Sequence, residues 1–225
     1  SITGLARGSG QDDAELGNLF VKTAIGSVTV DASGMGQAQL NALVTHQSKI
    51  GTLNNLTLDL TDGTDAVPST PEGITALLDL ATAVTVNATD ASADELTALV
   101  NGIDALDATV NVTVIIGGQT AAQISALLGA TTDASVDASG ATATQLSAVA
   151  TAIDADATRV DSLTNLTLSS GQSVAELTTL FAKTAADSVA VNAAGMSAAQ
   201  LDAIATDIAK VSGITNLALD LSDGA

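Results

Sequence analysis

The chain has no cysteine, no tryptophan and no tyrosine, and only two phenylalanines, two prolines and one histidine among its 225 residues. Without cysteine there is no disulfide framework and no thiolate metal site, and the redox compartment is left open. The lone His46 also removes the usual nucleophile–base pairs, and neither a Ser-His-Asp constellation nor a Gly-x-Ser-x-Gly segment is present. The chain is therefore not expected to be an enzyme. Cations are as scarce: six Lys and Arg stand against 25 Asp and Glu, a formal charge of −19. Such a surface repels nucleic-acid phosphates and anionic membranes and attracts cations, so nucleic acid is not an expected partner. No apolar run approaches the eighteen or so residues of a membrane helix, and membrane insertion is not expected. The opening Ser1-Ile2-Thr3-Gly4-Leu5 lacks the basic start of a signal peptide, and the chain reads as an internal fragment.

What is present is aliphatic and repetitive. Apolar residues make up 46% of the chain and aromatics 1%, so the core must be assembled from Ala, Val, Leu and Ile in thin, regular layers. Residues 1–64 recur without a gap at 162–225, an offset of 161, with 33 of the 64 positions identical. The chain therefore divides into one unit, 1–161, and the start of a second, 162–225, within a single tandem array. Apolar residues opening helical patterns (Leu16, Leu40, Ile74, Leu96, Ile124, Leu146, Leu177 and Leu201) mark a smaller period, six to each 161, with a mean near 27 residues. Before each lies a short alternating segment such as Val28-Thr29-Val30, Leu56-Thr57-Leu58 or Val84-Thr85-Val86, the pattern of a half-buried strand. Four residues before each helical anchor stands Asp12, Gly36, Thr70, Ser92, Thr120, Thr142, Ser173 or Ser197, good N-caps in seven cases. Six of these are followed at N3 by Glu or Gln, completing a capping box, and Thr70 is followed by Pro71 at the first helical position. Helix capping thus accounts for almost every Glu, and Glu72 suits a first-turn dipole position. Gly117-Gly118-Gln119-Thr120 reads as a strand-to-helix turn, and His46, replaced by Asp207 in the second copy, as a solvated helix residue.

Strand, turn and helix in coils of this length resemble the leucine-rich-repeat class. The motifs that carry the likeness are Leu53-x-x-Leu56-x-Leu58, Leu163-x-x-Leu166-x-Leu168, Ile214-x-x-Leu217-x-Leu219 and Ile25-x-x-Val28-x-Val30. The resemblance implies a right-handed α/β solenoid with one parallel sheet of short strands on one side and helices on the other. Where that class has Asn or Cys three residues after the last strand leucine, this chain has Ser33, Thr61, Thr89, Gly117, Ser139, Gly171, Ala194 and Ser222, a hydroxyl column able to bond free backbone groups. The richness in Ala, Thr, Asp and Gly is also similar to repeat regions of very large bacterial surface or secreted proteins.

Alternation places one side-chain column outward: Thr29, Thr57, Thr85, Thr113, Ser135, Thr167, Ala190 and Ala218. Two residues on runs a second: Asp31, Asp59, Asn87, Ile115, Asp137, Ser169, Asn192 and Asp220. Thr29, Thr57, Thr85, Thr113, Asn87 and Thr167 form the expected binding face. Asp31 stacked on Asp59 would be relieved by calcium, with Asp62 of the acidic turn, Asp137 and Asp220 as further ligands. Four Asn-x-Thr triplets, at Asn55, Asn87, Asn111 and Asn165, are potential glycan acceptors. These features suggest a non-catalytic structural or adhesive segment of an extracellular surface, S-layer or filament protein. The alternative is a calcium-assisted module whose Thr/Asx face takes a surface glycan or protein. Uncapped ends predict head-to-tail self-association.

Overall fold

A computed structural model describes residues 5–7, 10–60, 70–106 and 110–218. In chain order these form β1 (Leu5–Arg7), α1 (Asp13–Phe20), β2 (Val28–Asp31), α2 (Gln37–Thr45), β3 (Ile50–Asn54), β4 (Leu56–Asp59), α3 (Pro71–Leu78), β5 (Ala83–Asn87), α4 (Ala93–Asp104), β6 (Asn111–Ile115), α5 (Ala121–Gly129), β7 (Ala134–Asp137), α6 (Ala143–Ala155), β8 (Val160–Thr164), β9 (Thr167–Leu168), α7 (Val174–Ala182), β10 (Val189–Asn192), α8 (Ala198–Thr206) and β11 (Val211–Thr215). It is an α/β repeat fold in which every strand pairing among the described residues is parallel. Helix contacts follow chain order from α1 on α2 to α7 on α8.

The helices start where capping chemistry dictates. All eight expected positions are the observed N-caps. Seven accept a backbone N–H of the first turn through their side chain, and Gly36, which has none, instead donates its own N–H to Gln39 Oε1 at 3.0 Å. Between strand and helix a tight turn needs positive φ, supplied by Gly34 (φ 67°), Gly140 (φ 68°) and Gly195 (φ 70°).

The strands do not form one sheet. They form three, in the orders β1-β2-β3, β4-β5-β6-β7-β8 and β9-β10-β11. The breaks fall at Asn55 and Asn165, single residues in the left-handed region (φ 53° and 54°) between β3 and β4 and between β8 and β9. Asn is the side chain that visits this region most readily after Gly. One coil thus contributes two strands, the first completing one sheet and the second opening the next. The stretch Leu53-x-x-Leu56-x-Leu58 is this corner rather than a single strand, with Leu53, Leu56 and Leu58 all fully buried. Ile25, by contrast, is 78% exposed and lies outside any strand. Each corner is preceded by a bulge on the strand that enters it. Val28 pairs with Ile50 but Thr29 with Thr52, which leaves Gly51 unpaired, and the same shift leaves out Asp161 and Ser212. A Cβ on Gly51 would lie 2.4 Å from the Gly26 carbonyl oxygen.

One aliphatic core runs through all three sheets. Val30, Val86, Val136, Val191, Leu40 and Leu146 are buried as the pattern requires. Leu96 and Leu201 are only half-buried. In α4 the buried face is Ala98, Leu99, Gly102 and Ile103, because Gly102 lets α4 close on α3: a Cβ there would meet Leu78 Cδ1 at 2.4 Å.

Candidate functional site: the strand face and its corner groove

The corners rearrange the outward columns. Asp31 pairs with Asn54, not with Asp59, which pairs with Asn87. Asp137 pairs with Ile115 on one side and Thr164 on the other, not with Ser169. The stack of carboxylates that motivated a calcium site is therefore not formed, because each left-handed Asn inserts extra residues between one column and the next. Asp62 and Asp220 lie outside the described residues. Among those described, no three His, Asp or Glu side chains gather as a metal site.

Asp31 and Asp137 instead hold the corners. Asp31 Oδ1 accepts from Ser33 N–H (3.1 Å), Ser33 Oγ (2.6 Å) and, across the coils, Asn55 Nδ2 (3.0 Å). Asp137 Oδ1 does the same with Ser139 N–H (2.9 Å), Ser139 Oγ (2.7 Å) and Asn165 Nδ2 (2.9 Å). A third clamp, Asn216 Nδ2 to Asn192 Oδ1 at 2.9 Å, uses an amide in place of the carboxylate. The Ser33 hydroxyl, the Asn55 amide and the Ser33 N–H hold the Asp31 carboxyl below its ordinary value. At Asp137 burial pushes upward, but the Asn165 amide and the Ser139 hydroxyl and N–H outweigh it.

The hydroxyl column therefore acts mainly within its own turn, as Thr89 Oγ1 does on Asn87 Oδ1 at 2.7 Å. Gly117 interrupts it for a packing reason, since a Cβ would lie 2.3 Å from the Ser139 carbonyl oxygen. Backbone bonding between coils falls to glutamines at N3 of the helices. Gln123 Nε2 donates to Ala88 O at 2.7 Å, Gln145 Nε2 to Gln119 O at 2.5 Å and Gln200 Nε2 to Gln172 O at 2.6 Å, while each Oε1 accepts the N-cap N–H of its own helix. These three side chains are buried, and this second role was not visible in the capping pattern. Lys49, Lys183 and Lys210 likewise donate to carbonyls of the preceding coil. His46 is a helix C-cap, half-buried and stacked on Phe20 at 5.3 Å, rather than a solvated residue.

The outward hydroxyl column runs Thr29–Thr52 in the first sheet, Thr57–Thr85–Thr113–Ser135–Ser162 in the second and Thr167–Ala190–Gly213 in the third. At the open side of β4 the face is hollowed into a groove of about 450 Å³. Thr57, Thr85 and Thr113 form one row, Asn55 and Asn111 flank it, and Ser33 comes from the turn after β2. Among the described residues no ionisable group lines it. Of the four triplet asparagines, Asn55, Asn87 and Asn165 are tied into turns and clamps, whereas Asn111 is exposed in the groove.

No family model matches the chain, and no curated protein matches it. A solved structure that it resembles is the leucine-rich repeat-containing protein LegL7 of Legionella pneumophila, at 16% identity and a TM-score of 0.43, over 93% of this chain and 72% of the other. That likeness is too slight to bear on function, and the repeat fold stands on the strands and helices described above.

Proposed function

We propose that this chain is a non-catalytic segment of an α/β solenoid that spans distance and presents its outward strand face to other molecules, as part of a much longer extracellular repeat protein. The observation that carries the reading is the recurrence of one corner at the 161-residue offset: the clamp of Asn55 on Asp31 returns as Asn216 on Asn192, at 3.0 and 2.9 Å. A structure that repeats at this interval extends by adding copies, in coils averaging near 27 residues, with each coil resting on its neighbours. The charge of −19 suits an exposed, repulsive surface. Among the described residues no helix is long and apolar enough to cross a membrane. Small-angle scattering on chains carrying one, two and three copies of the 161-residue unit is the test. A maximum dimension that rises linearly with copy number is expected, and a constant compact radius would reject the reading.

The second reading, a binding module, is favoured by the groove beside β4, where hydroxyls and an amide converge on open space. This version rests on the hydroxyls and amides of the groove and not on calcium, since Asp31 and Asp137 at the corners serve Ser33, Asn55, Ser139 and Asn165. Head-to-tail association concerns residues outside those described.

A further inference from the structure

The geometry points to an uncharged, extended polysaccharide as the ligand of the groove beside β4, lying across β4, β5 and β6. This rests on the display role proposed above and names what that face would take. The hydroxyls of Thr57, Thr85 and Thr113 and the amide of Asn111 line the groove and make no hydrogen bond among the described residues. Further along the same column the hydroxyls satisfy each other, Ser135 Oγ to Ser162 Oγ at 3.1 Å. Free hydroxyls also stand outside the groove, as the pair Thr29–Thr52 and as Thr167 alone, but among the described residues three in register occur only in the groove.

The lining decides between ligand classes. Among the described residues the lining contains no cation to meet an anion, and the net charge of −19 repels one. Among the same residues it contains no carboxylate to hold a metal. Registered Thr57–Thr85–Thr113 hydroxyls repeat at the strand spacing of about 4.8 Å. A peptide laid across the threonine row advances about 3.3 Å per residue and falls out of step with it. Each sugar unit of an extended polysaccharide advances by a length comparable to the strand spacing. Its hydroxyls, like those of threonine, both donate and accept. The two phenylalanines are buried at 1% and 0% exposure, so no aromatic platform strengthens a single site, and affinity accumulates through repetition along an array. The second corner is a built-in contrast: Thr167 there is followed by Ala190 and Gly213, which carry no hydroxyl.

The experiment is affinity electrophoresis and calorimetry of the chain with cellohexaose, xylohexaose and polygalacturonate, repeated on the triple variant Thr57→Val, Thr85→Val, Thr113→Val, on Asn111→Ala and on Thr29→Val. Valine keeps the shape and strand preference of threonine, and thermal melting verifies each fold. Saturable binding of a neutral oligomer is expected, weakened about tenfold or more in the triple variant and less in Asn111→Ala, with Thr29→Val as wild type. No binding of either neutral oligomer at millimolar concentration, equal binding by the triple variant and Asn111→Ala, or preference for polygalacturonate would each overturn the assignment. None of these results would touch the linear growth measured by scattering, so the two readings fail separately.

Discussion

Thr29, Asp31 and Thr52 of the first copy become Ala190, Asn192 and Gly213 in the second, yet the backbone they stand on is the same. Thr29 pairs with Thr52 and Ala190 with Gly213 across an identical one-residue bulge. Asn55 and Asn216 keep φ at 53° and 55°. The Gln39 amide reaches the Gln11 carbonyl as Gln200 reaches Gln172. The contact under the helix end turns on one residue: His46 stacks on Phe20 in one copy, whereas Asp207 in its place meets Lys210 at 3.5 Å in the other, with the phenylalanine and lysine kept in both. The fold is therefore specified by inward aliphatics, left-handed turns and amide bridges, and the outward face varies without cost to it. That division lets a single scaffold carry different surfaces on successive copies.

The strongest way to break the comparison is through the core. Leu40 is 1% exposed, and Leu40→Ala is expected to cost about 2–5 kcal/mol in urea unfolding. Its counterpart Leu201 is half-buried, so Leu201→Ala should cost clearly less. Equal losses would mean that the two copies pack alike and that the difference in burial has no energetic content. Next come the corners. Asn55→Ala forfeits about 1–2 kcal/mol for the left-handed backbone, with the bond to Asp31 in addition. Asn55→Gly keeps the conformation and loses only the bond, so it should be milder. Asn165→Ala should match Asn55→Ala, and the double variant should be additive, since the two corners share no partner. An Asn55→Gly variant as damaged as Asn55→Ala would show that the amide bond, not the backbone, defines the corner.

The capping and alternation were legible in the sequence because both are local. Seven of the eight N-caps follow from a side chain three residues ahead of the group it serves, and the strands β2, β4, β5, β6 and β10 show strict alternation. The strands β3, β8 and β11 were not, because the bulges at Gly51, Asp161 and Ser212 break the period of two. The corners were visible only in disguise. An Asn recurs inside the apolar runs at 55, 165 and 216, a polar residue with a taste for positive φ where a strand would prefer a β-branched one. Read that way, it marks the break between sheets. The groove follows from the break and could not be seen without it. The inter-coil glutamine bonds depend on which turn lies opposite each helix start, information that no local pattern holds.

Caps sharpen the comparison at smaller scale. Ser197 accepts from Gln200 N–H at 3.3 Å, and Gly36 in the equivalent place has no side chain. Ser197→Ala is expected to lower stability by about 1 kcal/mol, while Gly36→Ser should raise it by only a few tenths. A gain of a full unit at Gly36 would mean that the Gln39 bond to its N–H does not already satisfy that end.

The smallest expected effect concerns acid. In the first copy the clamp acceptor is Asp31 and in the second it is Asn192, which does not titrate. The Ser33 hydroxyl and the Asn55 amide hold the Asp31 carboxyl below its ordinary 3.8, and at Asp137 Asn165 and Ser139 overcome burial to the same end. A depressed folded value means that each group stabilises the fold fully above the unfolded value, and that this contribution fades as pH falls through the folded one. Between about pH 4 and the folded values below it, the wild type should therefore lose stability at these two corners while the Asn192 corner is unaffected. Asp31→Asn with Asp137→Asn recreates the second copy's clamp at both sites. The double variant should fold normally at neutral pH and show a flatter decline of the urea midpoint below about pH 4. Residual acid sensitivity belongs to Asp156, held low by the Thr158 N–H and hydroxyl, and to Glu176, held low by the hydroxyl of Ser147 and the N–H and hydroxyl of Ser173. An acid limb as steep in the double variant as in the wild type would place the sensitivity outside the corners, and the corner carboxylates would then be interchangeable with amides at every pH.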